Sequence, residues 1–213
     1  MNCLYKEVCN NECVSNCIRY LEMEALLNQS NIPKNMQRII SLSPEDCDYD
    51  AFCKLADIKE EIVDFVNAGK NLYIVSTNTG NGKTTWSIKL MLKYFNDIWI
   101  GNGFNTRGVF IHVPTFLLKC KDFNNKDTEF EELKSRLIDV DLVIWDDIGS
   151  NGLSNYDLSQ LLMYIDQRVL SGKSNIFTGN LLEQELNRLL GSRLASRIWN
   201  TSEIVQFYGK DKR

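Results

Sequence analysis

A glycine-rich segment that ends in a lysine and a threonine is the feature that most constrains the fold. Residues 76–85 read STNTGNGKTT, after an apolar run at 72–75 and before a stretch of helical periodicity at 85–95. In such a strand-to-helix turn, glycines let backbone N–H groups converge on phosphate oxygens, and the helix N-terminus adds partial positive charge. The sequence therefore predicts a phosphate-binding loop (P-loop); the alternative is an ordinary glycine turn followed by a chance Lys-Thr pair.

The residues of this loop have distinct expected roles. Lys83 is expected to bridge the β- and γ-phosphates of ATP, and the Thr84 hydroxyl is expected to bind Mg²⁺. Thr77 stands where the full pattern has its first glycine. Because threonine does not easily adopt a positive φ, a reshaped loop entrance and a weaker affinity for ATP are expected.

A pair of carboxylates follows another apolar run. Asp146 and Asp147 come directly after residues 142–145. The carboxyl ends of parallel strands form the ligand crevice, so the pair is expected beside the P-loop, although a solvated turn is the alternative. Asp146 would complete the Mg²⁺ shell and Asp147 would polarise the attacking water. The residues expected to hold Mg-ATP are Thr79, Gly80, Asn81, Gly82, Lys83, Thr84, Thr85 and Asp146.

Apolar runs and helical stretches alternate along most of the 213 residues. Strands are expected at 72–75, 109–113, 142–145, 175–178 and 204–207. Helices are expected at 55–66 and 85–95, from a Thr128–Glu131 capping box to residue 138, and from Ser154 to Gly172. Strands separated by helices imply an α/β fold with a five-stranded parallel sheet flanked by helices.

The N-terminal part differs from the rest in charge. Residues 1–68 hold 6 Lys and Arg against 12 Asp and Glu, whereas residues 69–213 hold 18 against 16. This acidic N-terminal part, which includes a head at 1–30, favours a protein partner, and the net charge of −4 excludes a strongly basic nucleic-acid footprint. Pro33 and Pro44 indicate an extended linker at 31–53 before an ATPase domain at 54–213. No apolar run suits a bilayer span or a signal peptide, so a cytoplasmic location without a membrane partner is expected.

Four of the seven cysteines lie in the head, at Cys3, Cys9, Cys13 and Cys17. Four thiolates suit a tetrahedral Zn²⁺ site, and a head this short cannot build a core, so metal would be its main stabiliser. An iron–sulfur cluster is the alternative. Burial as small hydrophobic residues is expected for the remaining cysteines, Cys47, Cys53 and Cys120.

The order of several short motifs resembles helicase loaders of the DnaC/DnaI type. After Lys83 and Thr84 the chain has DDIG at 146–149, FTGN at 177–180, GSRLASR at 191–197 and GKDKR at 209–213. This order, over roughly residues 30–213, is more specific than any one motif. The resemblance implies an AAA+ fold. It also implies a P-loop ATPase that is slow, because Asp147 stands where many AAA+ proteins have glutamate.

The resemblance extends to individual catalytic residues and to partners. Asn180 matches the sensor-1 position, which orients the hydrolytic water, and Arg213 matches the sensor-2 arginine. Arg197 matches the arginine finger that reaches a neighbouring subunit's γ-phosphate, with Arg193 as the second candidate. The implied function is to bind a replicative hexameric helicase through the zinc-binding head, self-associate through the AAA+ interface, and place the helicase on single-stranded DNA at replication initiation. The alternatives are a transposition-helper ATPase similar to IstB, and a nucleotide-gated adaptor that sequesters the helicase.

Residues 114–126 mix aromatic and basic side chains, with Phe116, Lys119, Lys121 and Phe123. This mixture is compatible with binding of single-stranded DNA, and equally with an amphipathic helix followed by a loop. The single histidine, His112, lies in a predicted strand, where a structural role is expected.

Overall fold

The computed structural model describes residue 14 and residues 16–38, 41–122, 127–149 and 152–210. Five strands form one sheet in the order β2-β3-β4-β1-β5, and every neighbouring pair is parallel. The strands are β1 (Asn71–Val75), β2 (Gly108–His112), β3 (Leu142–Ile148), β4 (Ser174–Gly179) and β5 (Ser202–Gln206). The predicted five-stranded parallel sheet is confirmed.

Helices cover both faces of the sheet. Within the described residues they are α1 (Ile18–Gln29), α2 (Tyr49–Glu60), α3 (Ile62–Asn67), α4 (Lys83–Ile98), α5 (Val113–Cys120), α6 (Thr128–Asp139), α7 (Asn155–Leu170) and α8 (Glu183–Trp199). Alternate side chains of β1 separate two cores: Leu72 and Ile74 pack with α1–α4, and Tyr73 and Val75 pack with α5–α8. The result is the three-layer α/β architecture that both-face burial of a parallel sheet requires.

Several element boundaries differ from the sequence prediction. The predicted helix at 55–66 is two helices, α2 and α3, separated at Glu61 where the backbone leaves the helical region (φ −102°, ψ 22°). Helix α6 is capped by Asp127 rather than Thr128, because the Asp127 carboxylate accepts the Phe130 N–H at 3.1 Å. Ser154 is the N-cap of α7, where the helix was expected to begin, and it forms a capping box with Asp157.

The described residues between 16 and 53 pack on the sheet rather than standing apart from it. Met23, Leu26 and Leu27 of α1 are buried in the same core as α4. The buried Asp48 carboxylate accepts the N–H groups of Tyr208, at 2.7 Å, and of Gly209, at 3.1 Å. Residues 46–53, predicted as extended linker, form a 3₁₀ turn and the start of α2. The division into a head, a linker and an ATPase domain stays a prediction.

The three cysteines predicted to be buried fall into two groups. Cys120 is buried at the end of α5, as expected, and burial raises the pKa of its thiol to about 11. Cys47 and Cys53 are exposed, so that prediction is wrong for both. They lie on the outward side of the segment whose Ala51 and Phe52 turn into the core.

Candidate nucleotide-binding site

The P-loop connects the end of β1 to the start of α4. Gly80 and Gly82 have positive φ values, 69° and 98°, and Gly82 is the N-cap of α4. A side chain at Gly82 would meet only Leu42, no nearer than 3.8 Å, so the backbone conformation rather than space requires glycine there. Thr77 does not adopt a positive φ. The backbone conformation of Thr77 therefore does not require the reshaped loop entrance that was predicted for a threonine at this position.

Hydrogen bonds hold the loop in shape from within. The buried Ser76 hydroxyl oxygen accepts a bond from the Asn81 side-chain amide, at 2.5 Å, and another from the Asn78 N–H, at 3.1 Å. The Lys83 Nζ donates to the Asn78 carbonyl at 2.9 Å and lies 3.3 Å from Asn81 Oδ1. The Lys83 ammonium is therefore bonded to the loop itself. Phosphate oxygens would be stronger acceptors for it than these neutral oxygens.

Asp146 lies at the centre of the site. It is 5% exposed, and its Oδ1 accepts hydrogen bonds from the hydroxyls of Thr84 and Thr178, both at 2.7 Å. Burial raises the pKa of Asp146, although the two hydroxyl donors oppose this rise. The chain thus brings a hydroxyl and a carboxylate oxygen together from two distant segments. These are the oxygen donors that Mg²⁺ prefers beside a nucleotide, so the pair fits the predicted magnesium site.

Asp147 and Asn180 lie at the ends of the neighbouring strands β3 and β4. Asp147 has a φ of 62°, at an irregularity in the pairing of β3 with β4, and its N–H donates to Thr178 Oγ1 at 3.0 Å. The Asn180 Oδ1 atom is buried and has no hydrogen-bond partner among the described residues. An unpartnered buried acceptor next to a carboxylate can take a hydrogen bond from a water molecule.

These side chains line one cavity of about 580 Å³, within the size range of small-molecule sites. Of the predicted site residues, the cavity brings together Thr79, Gly80, Asn81, Gly82, Lys83, Thr84, Thr85, Asp146, Asp147 and Asn180.

Three further residues of the cavity were not predicted: Thr178, His112 and Met36. A polar residue at the end of the apolar strand β4 could have indicated Thr178. His112 was expected to be structural, but it is exposed and pairs in register with Asp146, with its Nδ1 2.8 Å from Thr115 Oγ1. No sequence signal indicates Met36, which reaches the cavity from the segment before α2.

The two candidate finger arginines lie outside this cavity. Arg193 and Arg197 are on α8 and both form ion pairs with Asp166 of α7. Arg213, the predicted sensor-2 residue, lies outside the described residues. The structure thus groups the P-loop, the two aspartates and the asparagine, and leaves the helix arginines on another face.

In the described part of the mixed aromatic and basic segment, the aromatic side chain is buried and the two lysines stay at the surface. Phe116 is 3% exposed and packs in the core, so it is not available for stacking on DNA bases. Lys119 and Lys121 form ion pairs with Asp127 and Asp157. Phe123 lies outside the described residues. The amphipathic-helix interpretation is confirmed, and the DNA-stacking interpretation is wrong for Phe116.

Three of the four predicted zinc ligands, Cys3, Cys9 and Cys13, lie outside the described residues. Cys17 precedes α1 as a free thiol. In the part of the chain that the structure describes, no group of three or more His, Cys, Asp or Glu side chains is arranged to hold a metal ion. The zinc site stays a prediction from the four-cysteine spacing.

Metal analysis of the purified chain tests the predicted zinc site. We expect about one zinc per chain, since four thiolates complete a tetrahedral site. Cys13→Ser should lower the zinc content to below about half, because it removes one of four ligands. The matched control, Cys53→Ser, changes an exposed thiol of α2 and should retain the metal. Equal zinc content in the two variants, or a protein that folds without metal, would contradict the prediction.

The sequence was compared with protein families and with curated proteins. No protein-family model matches the sequence, and no curated protein sequence matches it. Among the described residues, no helix has both the length and the apolar character needed to cross a membrane.

Solved structures are similar at low sequence identity. The chain superposes on a crystal structure of the DnaC helicase loader with a TM-score of 0.69, at 19% identity over 83% of this chain and 100% of that one. A crystal structure of DnaI gives 0.64, at 22% identity over 84% and 96%. The replication initiator DnaA bound to AMPPCP and single-stranded DNA gives 0.61, at 16% identity over 79% and 49%. The resemblance predicted from the motif order is confirmed at the level of the fold, which this chain shares with the solved structures of DnaC and DnaI.

Proposed function

We propose that this chain is an ATP-dependent loader that binds a replicative hexameric DNA helicase and places it on single-stranded DNA during replication initiation. One observation carries the proposal: Thr84 and Thr178 converge on the buried Asp146 at the mouth of a preformed P-loop. That constellation lies in a fold that covers the whole of the chain in the DnaC helicase loader crystal structure. The proposal joins a nucleotide site with this fold.

In this proposal the described residues have separate tasks. Lys83 would exchange its bond to the Asn78 carbonyl for phosphate oxygens, and Thr84 and Asp146 would hold Mg²⁺. Bound Mg²⁺ would neutralise charge on the phosphates. Asp147 polarises the attacking water, which Asn180 orients through its unpartnered Oδ1. The short aspartate side chain sets its carboxylate farther from the water than glutamate would, so we propose a slow hydrolysis that suits a timing switch.

The assembly part of the proposal concerns the arginines of α8. Arg193 is 69% exposed and Arg197 is 33% exposed, and neither lines the cavity of its own chain. No described arginine lines the cavity, so a described arginine that stabilises the transferring phosphoryl group would have to come from a neighbouring copy of the chain. We propose that copies self-associate so that Arg197 completes the next copy's site.

A loading assay with purified components tests this function. The chain is mixed with a hexameric replicative helicase, ATP and a single-stranded DNA circle coated with single-strand-binding protein, and unwinding of an annealed oligonucleotide is measured. We expect unwinding only when the chain and ATP are both present, because coated circular DNA offers the helicase no free end. The Lys83→Ala variant should give no stimulation.

Two other results would replace the proposal. If the helicase binds tightly to the chain but unwinding falls, with the Lys83→Ala variant as inhibitory as the native chain, the chain is an adaptor that sequesters the helicase. If the helicase neither binds nor is stimulated, and a transposase binds instead, the chain is a transposition helper. Retention of the tagged chain on immobilised helicase or transposase distinguishes these outcomes.

A further inference from the structure

The two arginines of α8 share one carboxylate of the neighbouring helix. Asp166 Oδ1 accepts from Arg197 Nε at 2.6 Å, and Asp166 Oδ2 accepts from Arg193 Nη2 at 2.8 Å. The Asp166 side chain is only 14% exposed, so the pair is held at the junction of α7 and α8 rather than in open solvent. This bridge formed no part of the expectations drawn from the sequence.

The two arginines engage that carboxylate through different atoms. A guanidinium has five N–H donors, one on Nε and four on the two terminal nitrogens. Arg197 uses its Nε–H, and its side chain has no other hydrogen bond within the described chain, so both terminal nitrogens remain free. Arg193 instead uses a terminal nitrogen. The hydrogen bond at Nε immobilises the aliphatic part of the Arg197 side chain. It leaves Nη1 and Nη2 available, and these two nitrogens can bind phosphate oxygens in a bidentate manner.

The backbone of α8 explains why both arginines reach Asp166. Gly191 has non-helical angles (φ 76°, ψ 155°) and divides α8 just before the arginines. Leu194 and Ile198 of the second part are buried, which fixes the rotation of that part about its axis. Arg193 and Arg197, four residues apart, lie on one face of a helix and so meet the same carboxylate of α7.

The charges at this junction favour an anionic partner. Burial alone would raise the pKa of Asp166, but the hydrogen bonds from Arg193 and Arg197 outweigh it and hold the pKa below its usual value. The carboxylate is therefore ionised at neutral pH and faces two guanidinium cations. One positive charge is left uncompensated at the exposed edge of α8, where it can attract a phosphoryl group.

We propose that Asp166 is a positioning residue: it anchors Arg197 by its Nε and aims the terminal guanidinium nitrogens at the γ-phosphate of ATP held by a neighbouring copy of this chain. The proposal rests on the assembly part of the proposed function. It also assigns the finger to Arg197 rather than Arg193, because only Arg197 keeps both terminal nitrogens available. Asp166 touches neither ATP nor the water, and it acts through Arg197 alone.

The test is a double-mutant cycle on ATP hydrolysis stimulated by helicase and single-stranded DNA. Arg197→Ala should lower kcat about tenfold, less than fingers in fast enzymes. Asp166→Ala should lower kcat about three- to fivefold, the worth of a partly exposed ion pair. It should leave the affinity for a fluorescent ATP analogue unchanged. Asp166→Asn, which keeps an acceptor oxygen, should recover part of the loss. Asp97→Ala removes an ion pair with Lys93 on α4 and serves as the matched control with no loss.

Coupling between the two residues decides the outcome. In the Arg197→Ala background, Asp166→Ala should have no further effect on kcat, whereas a merely structural role would lower kcat equally in both backgrounds and overturn the proposal. An unchanged kcat for Asp166→Ala alone would also overturn it. Mixing Asp166→Ala chains with an excess of Lys83→Ala chains should raise the activity per Asp166→Ala chain, since its intact P-loop then meets a neighbour with an intact Asp166–Arg197 pair. If the native chain loads helicase yet the cycle shows no coupling, this inference fails and the loader function stands.

Discussion

Replacing Lys83 by alanine is expected to weaken binding of Mg-ATP by at least about 100-fold, close to 3 kcal/mol. Lys83 is the only lysine or arginine among the described residues that line the cavity, so no other such side chain there can neutralise the phosphates. Two of the acceptors that it contacts, the Asn78 carbonyl and Asn81 Oδ1, belong to the loop, which keeps its Ser76 hydrogen bonds without it. The fold should therefore remain intact.

Titration of a fluorescent ATP analogue into the two proteins measures this effect, and circular dichroism checks the fold. Lys93→Ala is the matched control, because Lys93 is on the same helix and pairs only with Asp97 in the described structure. Its affinity for the analogue should equal that of the native chain. An equal affinity for Lys83→Ala would show that the loop does not bind phosphate, and the proposed nucleotide site would be wrong.

Replacing Arg168 by leucine is expected to lower the free energy of unfolding by about 3–5 kcal/mol. Arg168 is fully buried on α7. Its guanidinium donates to Asn175 Oδ1 at 2.8 Å and to four backbone carbonyls, those of Leu137 at 2.7 Å, Val140 at 2.8 Å, Asp141 at 3.3 Å and Ser174 at 2.6 Å. Burial lowers the pKa of Arg168 to about 9, which leaves it protonated at neutral pH. Leucine fills much of the space but removes one hydrogen-bond donor from each of these carbonyls, of which the Asp141 carbonyl keeps another, the Ser174 N–H at 3.1 Å.

Urea denaturation followed by circular dichroism measures the change, as a lower midpoint with an unchanged slope. The urea midpoint of Arg168→Lys should lie between those of the native chain and the leucine variant, because a single ammonium cannot reach all five acceptors. Arg188→Leu is the control, since Arg188 is exposed on α8, and its midpoint should shift little. If the free energy of unfolding of Arg168→Leu is within about 1 kcal/mol of that of the native chain, the carbonyl cluster does not stabilise the fold as described.

Residue type and local order were sufficient to predict the frame of the nucleotide site. Gly80 and Gly82 adopt positive φ because the loop requires it, and that requirement is readable from the glycines themselves. Asp146 and Asp147 follow an apolar run, and parallel strands separated by helices place such ends at one edge of the sheet. These inferences needed only local chemistry and the topology rule.

The sequence was less informative wherever a contact joins distant segments. Thr178 reaches Asp146 only because β4 pairs with β3, and Met36 reaches the cavity only because the segment before α2 folds back over the P-loop. Cys53 is exposed, although burial as a small hydrophobic residue was expected. The reason is that Phe52 packs on Trp86 and so sets the rotation of α2 about its axis. Burial depends on which face of a helix meets the core, and a short segment leaves that undetermined.

The role of α8 shows the same division. The sequence by itself placed Arg193 and Arg197 four residues apart on a helix, and the motif resemblance favoured Arg197 over Arg193. The tertiary structure decided that both meet Asp166, and that Arg197 does so through Nε while Arg193 spends a terminal nitrogen. The physical reason is that a helix fixes which side chains share a face, whereas the atom each one uses depends on the packing of α8 against α7.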